Sequence, residues 1–233
     1  MSADRILAWL GVTIGLLRLI PIFRDSSAQL RLAYCFALLL LLILFTVLYR
    51  SGHGPQYSTL SMRKTLVLKA SDGSHAELLR EQKIRVNFSS MSEIWCRNIV
   101  ADGSIANLRI DGVALQDVDQ EWLGCLLDIR KRFLRTLYRG DEESVLWSYD
   151  LINSFPRQQE FIDHDVTPGT QLLELVVELP ELRPCREARL EEKVAGEPSK
   201  QLKDPEILRN GTLVRATIRA PKEGRTIRLS WQW

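Results

Sequence analysis

Residues 225–233, RTIRLSWQW, alternate more strictly than any other stretch of the chain. Ile227, Leu229, Trp231 and Trp233 occupy every second position, and the residues between them are polar or charged. Successive side chains of a β-strand point to opposite faces, so this pattern predicts a strand with one buried face. We therefore expect these four residues to belong to the core of a β-domain.

Two more strands are predicted immediately before this one. Residues 212–218 alternate apolar and polar side chains, and Asn210-Gly211 before them is the dipeptide typical of a type I′ hairpin turn. Residues 206–209 would pair with this strand, and a turn at 220–224 would lead into the last one. The pattern predicts a three-stranded meander at the C-terminus.

Further strand-like segments lie between turn signals from residue 65 onwards. The clearest are 65–69, 83–88, 104–110, 144–151 and 171–179, and the last of these is nearly apolar and is expected inside a sheet. Residues 126–137 fit both a helix and a strand, and we favour a strand because the neighbouring segments are strands. About eight or nine short strands predict an all-β domain, an antiparallel sandwich with a barrel as the alternative.

The N-terminal part of the chain contains two long apolar runs. Residues 32–49, LAYCFALLLLLILFTVLY, are 18 residues without charge, Pro or Gly. A helix of that length covers most of the roughly 30 Å hydrocarbon core of a bilayer. Residues 6–23 form a second run, which holds Arg18 near its end, and only residues 24–31 separate the two. The arrangement predicts a transmembrane helical hairpin within residues 1–50.

Two other interpretations of the first run stay open. It could be a signal peptide with a small-residue cleavage site near residues 26–28, or a helix that lies flat on the membrane surface. After the hairpin, residues 51–61 are rich in Gly, Ser and Pro and predict a flexible linker. Residues 62–233 would then form the β-domain.

The side of the membrane follows from charge and cysteine content. Basic residues are more frequent outside the short hairpin loop than inside it, which predicts that both termini are cytoplasmic. Cys96, Cys125 and Cys185 are widely spaced and do not resemble a disulfide framework. The β-domain is therefore expected on the cytoplasmic side.

A pattern of small residues marks the first predicted helix. Gly11 and Gly15 are four residues apart and share a helix face, which lets helices approach closely. Arg18 lies near the same face. We expect this face to support helix packing or oligomerisation, and chance occurrence of glycine is an equally weighted alternative.

A basic cluster lies within residues 126–137. On a strand, Arg130 and Arg132 share a face, and Arg135 follows close by. These side chains could contact phosphate or another partner. A solvated surface run is the simpler interpretation, since no stacking aromatic residues are interleaved with the cluster.

The search for catalytic chemistry is negative at the level of motifs. His53, His75 and His164 are far apart and lack metal-ligand spacing. The sequence contains no nucleophile elbow, Walker loop, HExxH or dinucleotide-binding motif. We expect no enzymatic activity, no catalytic or metal-binding residues and no cofactor.

Several segments resemble a β-rich domain of bacterial conflict proteins. They are RxxxIRVN (80–87), ADGSIANLRIDG (101–112), YDLINSFP (149–156), EFIDH (160–164) and IRLSWQW (227–233). Joined to two membrane helices, this arrangement resembles the two-transmembrane effectors of bacterial anti-phage systems, retrons in particular. The resemblance implies an effector that a complex of reverse transcriptase with an RNA–DNA hybrid keeps silent, and that permeabilises the inner membrane when phage attack releases it.

Three functional hypotheses follow from these patterns. The first is an abortive-infection effector, a multi-pass protein of the bacterial inner membrane that forms a homo-oligomer in the lipid bilayer when active. The second is a ligand-gated sensor whose β-domain binds a small molecule such as a cyclic nucleotide. The third is a membrane-anchored scaffold.

Overall fold

The computed structural model describes residues 56–87, 90–116 and 119–233. Within these ranges the chain forms fifteen strands and no α-helix. The strands are β1 (Tyr57–Leu68), β2 (His75–Val86), β3 (Ser90–Ile99), β4 (Ser104–Ile110), β5 (Val113–Ala114), β6 (Gln120–Leu123), β7 (Leu126–Tyr138), β8 (Glu142–Ile152), β9 (Gln159–Asp165), β10 (Leu172–Glu178), β11 (Glu187–Lys193), β12 (Lys200–Gln201), β13 (Glu206–Leu208), β14 (Leu213–Arg219) and β15 (Thr226–Gln232). Strand β1 begins inside the segment predicted as a linker.

Eight strands form the largest sheet, in the order β13-β14-β10-β1-β2-β8-β4-β5. Neighbouring strands are antiparallel except β1 and β10, which are parallel with Met62 opposite Leu173. The apolar strand β10 lies inside the sheet, between β14 and β1, as its composition predicts.

One face of the eight-stranded sheet is buried. In β1 the buried side chains include Met62 and Leu66, at alternating positions, and Leu66 lies opposite Leu78 of β2. The other face carries charged side chains that pair across strands, such as Arg63 with Glu174 at 3.5 Å. The alternation of apolar and charged residues therefore decides which face of the sheet is covered.

Two smaller sheets cover that buried face. One has the order β12-β11-β15-β9 and the other β3-β7-β6. Leu229 of β15 and Ile129 of β7 belong to the same hydrophobic cluster as Leu66 and Trp147 of the large sheet. Because the residues that the large sheet contributes to this cluster all come from one face, both small sheets pack on the same side.

The predicted fold class is wrong in its architecture. The described residues form three sheets with fifteen strands and a parallel pair, whereas an antiparallel sandwich of about eight or nine strands was expected. The large sheet is open, ending at β13 and β5, so the barrel alternative does not apply to it. The parallel pair joins segments about a hundred residues apart, and local alternation carries no information about such a pairing.

The predicted transmembrane hairpin and multi-pass inner-membrane location are also corrected. No helix in the part of the chain that the structure describes is long and apolar enough to cross a bilayer. The apolar residues there lie mostly on strands, whose backbone groups bond to neighbouring strands. The predicted spans, residues 6–23 and 32–49, lie outside the described residues.

The predicted C-terminal meander is wrong in its last pairing. Strands β13 and β14 pair as expected, but β15 lies in the four-stranded sheet between β11 and β9. Both edges of β14 are already occupied, by β13 and β10. The expected type I′ turn is a 3-10 turn, Arg209–Gly211, in which all three residues have positive φ angles of 50°, 54° and 88°.

Candidate functional site

A cleft of about 510 Å³ lies above the middle strands of the eight-stranded sheet, and we call it the central cleft. Its floor includes Lys64 of β1, Leu78 and Arg80 of β2, and Tyr149 of β8. Strand β9 with the start of β15 forms one wall, and residues 97–102, at the end of β3 and beyond, form the other. The central cleft therefore lies where the three sheets meet.

Lys64 and Arg80 are directly opposite each other in the antiparallel register of β1 and β2. The same row across the sheet continues with Leu175 beside Lys64 and with Trp147 beside Arg80. Two cations thus occupy adjacent positions in an otherwise apolar row. Like charges opposite one another destabilise a sheet, and such breaks of a local rule concentrate at functional sites.

Lys64 reaches from the floor to the β9 wall. Its Nζ donates a hydrogen bond of 2.7 Å to the backbone carbonyl of Asp163. The pKa of Lys64 is lowered to about 8, first because burial disfavours the charged ammonium and second because the Arg80 guanidinium repels it. The ammonium has two further N–H donors that can face a ligand.

Arg80 reaches toward the opposite wall. Its Nη1 donates to Cys96 Sγ at 3.0 Å and its Nη2 donates to Gln82 Oε1 at 3.4 Å. Its Nε is buried and has no hydrogen-bond partner among the described residues. No ion pair joins Arg80 to a carboxylate in that part of the chain. A guanidinium in this state is suited to bind an anion.

The carboxylates of the β9 wall are engaged elsewhere. Arg228 donates to both oxygens of Asp163, with distances of 2.7 and 2.6 Å. Thr226 Oγ1 donates to Asp165 Oδ1 at 2.6 Å. Asp163 and Asp165 raise the pKa of Lys64 by charge alone, but less than burial and Arg80 lower it. The positive charge at the floor is therefore only partly compensated.

The remaining acidic residues of the central cleft contact Arg157. Asp102 lies 3.6 Å from its guanidinium, and Glu160 accepts a hydrogen bond of 2.6 Å from its backbone N–H. Burial raises the pKa of Glu160, and the hydrogen bond from Arg157 partly opposes this shift. Neither carboxylate forms an ion pair with the two floor cations.

His164 lies on the inner face of β9, close to the floor cations. The pKa of His164 is well below its ordinary value because the ring is buried, with smaller contributions from Arg80 and Lys64. Its Nε2 is buried and lacks a partner among the residues described. The ring is therefore neutral near pH 7 and adds no positive charge beside the floor.

Aromatic packing holds one end of the central cleft. Phe155 lines it and packs on Trp231, with ring centroids 6.0 Å apart. Gly73 lies directly beneath Phe155, and a Cβ built on Gly73 would be 1.7 Å from the Phe155 carbonyl oxygen. Only glycine allows this approach, and its φ of +77° is also the left-handed conformation that glycine tolerates best.

The residues predicted from sequence lie mostly away from the central cleft. Gly11, Gly15 and Arg18 are outside the described residues. The expected β-domain core residues are all buried, with relative exposures of 1, 0, 1 and 4% in chain order: Ile227, Leu229, Trp231 and Trp233.

Each arginine of the predicted basic cluster has a carboxylate partner. Arg130 and Arg132 lie 3.2 and 3.4 Å from Asp119, and Arg135 lies 2.8 Å from Asp141. None of the three lines the central cleft. The strand preferred for this segment is confirmed as β7.

Lys64 and Arg80 were not identified from the sequence as site residues, although a signal was present. Each interrupts the apolar alternation of its strand. The register of β1 and β2 is centred on Asp72, whereas a two-residue turn at Asp72-Gly73 would have placed residue 64 opposite residue 81, so the turn dipeptide alone does not identify the pair. The walls of the cleft, by contrast, come from distant segments.

The described residues contain no group of three or more His, Cys, Asp or Glu side chains that could hold a metal ion. The floor of the central cleft offers an ammonium and a guanidinium beside apolar and aromatic side chains, while the four carboxylates that also line the cleft contact Arg157, Arg228 and Thr226. This combination suits binding of an anionic ligand.

No protein-family model and no curated protein sequence matches the chain. Many solved structures, among them the following three, show a distant likeness. An M1 zinc metallopeptidase from Deinococcus radiodurans has a TM-score of 0.41 and 10% identity over 75% of this chain and 42% of that one. Aminopeptidase A from Legionella pneumophila has a TM-score of 0.41 and 11% identity, with 76% and 21% coverage.

The third structure is a Legionella pneumophila protein to which nutrient binding is provisionally assigned. Its TM-score is 0.48 at 6% identity, and the match covers 76% of this chain and 67% of that chain. The chain thus spans less than half the length of the metallopeptidase and about a fifth of that of the aminopeptidase.

Proposed function

We propose that the β-domain is a binding module that takes an anionic ligand, bearing a carboxylate or a phosphate, in the central cleft. The observation that carries this proposal is the pair Lys64 and Arg80, adjacent on the cleft floor and without an ion-pair partner in the described part of the chain. A bound anion would remove the repulsion between them.

The size and lining of the central cleft support the proposal. Its volume of about 510 Å³ lies within the range of roughly 300–1,000 Å³ that is usual for small-molecule sites. Apolar side chains such as Leu151, Phe155 and Ile162 line it together with the two cations. A ligand with one anionic group and an apolar body could pair with the cations and pack against the apolar side chains.

Of the three functional hypotheses, the contacts in the central cleft favour the ligand-gated sensor. The predicted role in anti-phage defence, the reverse transcriptase–RNA/DNA hybrid as an inhibitor, and homo-oligomer formation stay predictions. The contacts of the described residues neither require nor test them.

The test is a binding titration of the full-length chain with inorganic phosphate, citrate and 3′,5′-cyclic AMP. Binding is measured by calorimetry and by the shift in thermal unfolding. Arg80→Met removes a floor cation and should weaken binding about tenfold or more, because a charge-assisted hydrogen bond is lost. Arg85→Met is the matched control, since Arg85 is on the same strand, is exposed, and pairs with Glu142.

The expected result is at least one anion that binds the wild type and Arg85→Met alike and binds Arg80→Met weakly. Equal binding to all three proteins, or no binding of any of these anions, would contradict the proposal.

A further inference from the structure

One wall of the central cleft is the free edge of a strand. Strand β9 is the last strand of the four-stranded sheet and pairs only with β15 in the described part of the chain. Its seven residues, Gln159–Asp165, are long enough to accept another strand. An unpaired strand edge is a template for main-chain hydrogen bonds with another chain.

The backbone groups that face the cleft follow from the hydrogen-bond pattern. Val166 N–H donates to Arg225 at one end of the β9–β15 pair, and Trp233 N–H donates to Gln158 at the other. Bonding alternates along an antiparallel pair, so the even-numbered residues of β9 bond to β15. The backbone N–H and C=O groups of Phe161, Asp163 and Asp165 therefore point away from β15.

The bond from Lys64 agrees with this assignment. Lys64 Nζ lies 2.7 Å from the carbonyl oxygen of Asp163, so that carbonyl does point into the central cleft. Phe161, Asp163 and Asp165 all line the cleft. Apart from this contact, the outward N–H and C=O groups of these three residues have no hydrogen bond in the described part of the chain.

The position of the floor cations decides the chemistry of an added strand. Side chains at paired positions of neighbouring strands lie on the same face. Residues of an added strand that pair with Ile162 or His164 would therefore point to the floor, because the side chains of these two residues are buried on that face. An acidic side chain at such a position would approach Lys64 and Arg80.

We propose that the ligand of the central cleft is an extended acidic peptide segment of a partner protein, which adds to the edge of β9 as a fifth strand. Main-chain hydrogen bonds to Phe161, Asp163 and Asp165 would hold the segment, and a floor-facing carboxylate would pair with the Arg80 guanidinium and the Lys64 ammonium. This inference rests on the proposed anion-binding function and names the class of ligand.

The experiment compares two peptides, acetyl-SVTETVS-amide and acetyl-SVTQTVS-amide, titrated into the full-length chain and followed by NMR. Glutamate and the two valines share one strand face, and the glutamine peptide removes only the charge. We expect the glutamate peptide to bind about tenfold more tightly to the wild type and to Arg85→Met. The difference should disappear in Arg80→Met.

Two N-methylated forms of the glutamate peptide test the strand edge. One carries N-methyl groups on the valines and glutamate, and the other carries them on the two threonines. Only alternate residues of an added strand bond to β9, so one form should lose binding and the other should keep most of it. Equal effects of the two forms, or no preference for glutamate, would overturn the inference.

The two failures are distinguishable. If phosphate, citrate or cyclic AMP binds in an Arg80-dependent manner while both peptides fail to bind, the anion-binding function stands and the peptide inference is overturned. If none of the small anions binds in that manner, the anion-binding function is overturned, and the peptide inference is overturned with it when both peptides fail as well.

Discussion

Lys64 and Arg80 face each other across β1 and β2, and each extends to a different small sheet. Lys64 bonds to the carbonyl of Asp163 on β9, and Arg80 bonds to Cys96 on β3. Two like charges thus connect all three sheets at the floor of the central cleft. We expect them to lower the stability of the empty domain and to favour binding of an anion, a balance common at functional sites.

Arg80→Met should stabilise the protein in the absence of ligand. The change removes a cation that faces Lys64, and the methionine side chain keeps apolar volume at the same position. We therefore expect the free energy of unfolding to rise by about 0.5–2 kcal/mol. For a chain of this size each kcal/mol corresponds to a rise in Tm of about 2–4 °C. Thermal unfolding checks this, with Arg85→Met as the control that should not rise. A lower Tm for Arg80→Met would show that the guanidinium stabilises the empty cleft.

The stability of the wild type should rise with pH between about 8 and 10.5. The pKa of Lys64 is about 8 in the folded chain and 10.5 ordinarily, so within this window the unfolded chain binds the extra proton. Below about pH 8, Lys64 is protonated in both the folded and the unfolded chain, and the full cost of burying its charge lowers the stability. Urea unfolding across this range should give a smaller rise for Lys64→Met than for Lys83→Met, which alters an exposed lysine. The same rise in stability with pH for both variants would contradict the lowered pKa of Lys64.

Acid should destabilise the protein partly through His164. Burial holds its folded pKa well below 6.5, so the unfolded chain takes up a proton first as the pH falls through about 6.5. Replacement by Leu removes this proton uptake, and His164→Leu should lose less stability than the wild type between pH 7 and acid conditions. His75→Gln, a change at a histidine on the other face of the large sheet, is the control. The idea fails if His164→Leu is as acid-sensitive as His75→Gln.

Gly73→Ala should damage both stability and ligand binding. The added Cβ would be 1.7 Å from the Phe155 carbonyl oxygen, and Phe155 lines the central cleft. We expect a loss of at least about 2 kcal/mol, from backbone strain and displacement together. Gly140→Ala is the matched control, because its φ of +92° is also positive but nothing lies within 4 Å of its added Cβ. That variant should lose only about 1 kcal/mol, from the left-handed backbone alone. Chemical denaturation of both variants decides, and equal losses would rule out the contact with Phe155 as the cause.

Local alternation was enough to locate several elements. Residues 104–110 form β4 as predicted, residues 126–137 lie in β7, and the alternating residues of 225–233 are buried on one face. The hairpin of β1 and β2 shows the limit of such reasoning, because a two-residue turn at Asp72-Gly73 would have placed Lys64 opposite Glu81, whereas the observed register places it opposite Arg80. The elements that were located depend only on neighbours in sequence, so local alternation contains their cause.

The sequence by itself therefore located part of the strands, among them β4, β7, β14 and β15, and the buried face of β15. Only the tertiary structure decided that β1 and β10 pair in parallel, that β15 joins β9 rather than β14, and that two small sheets share one face of the large one. The central cleft belongs to this second group, since its walls come from β3 and β9, which are distant in the chain. Pairing between distant strands depends on the edges and faces that the rest of the fold leaves open, and a periodic pattern within one strand does not encode them.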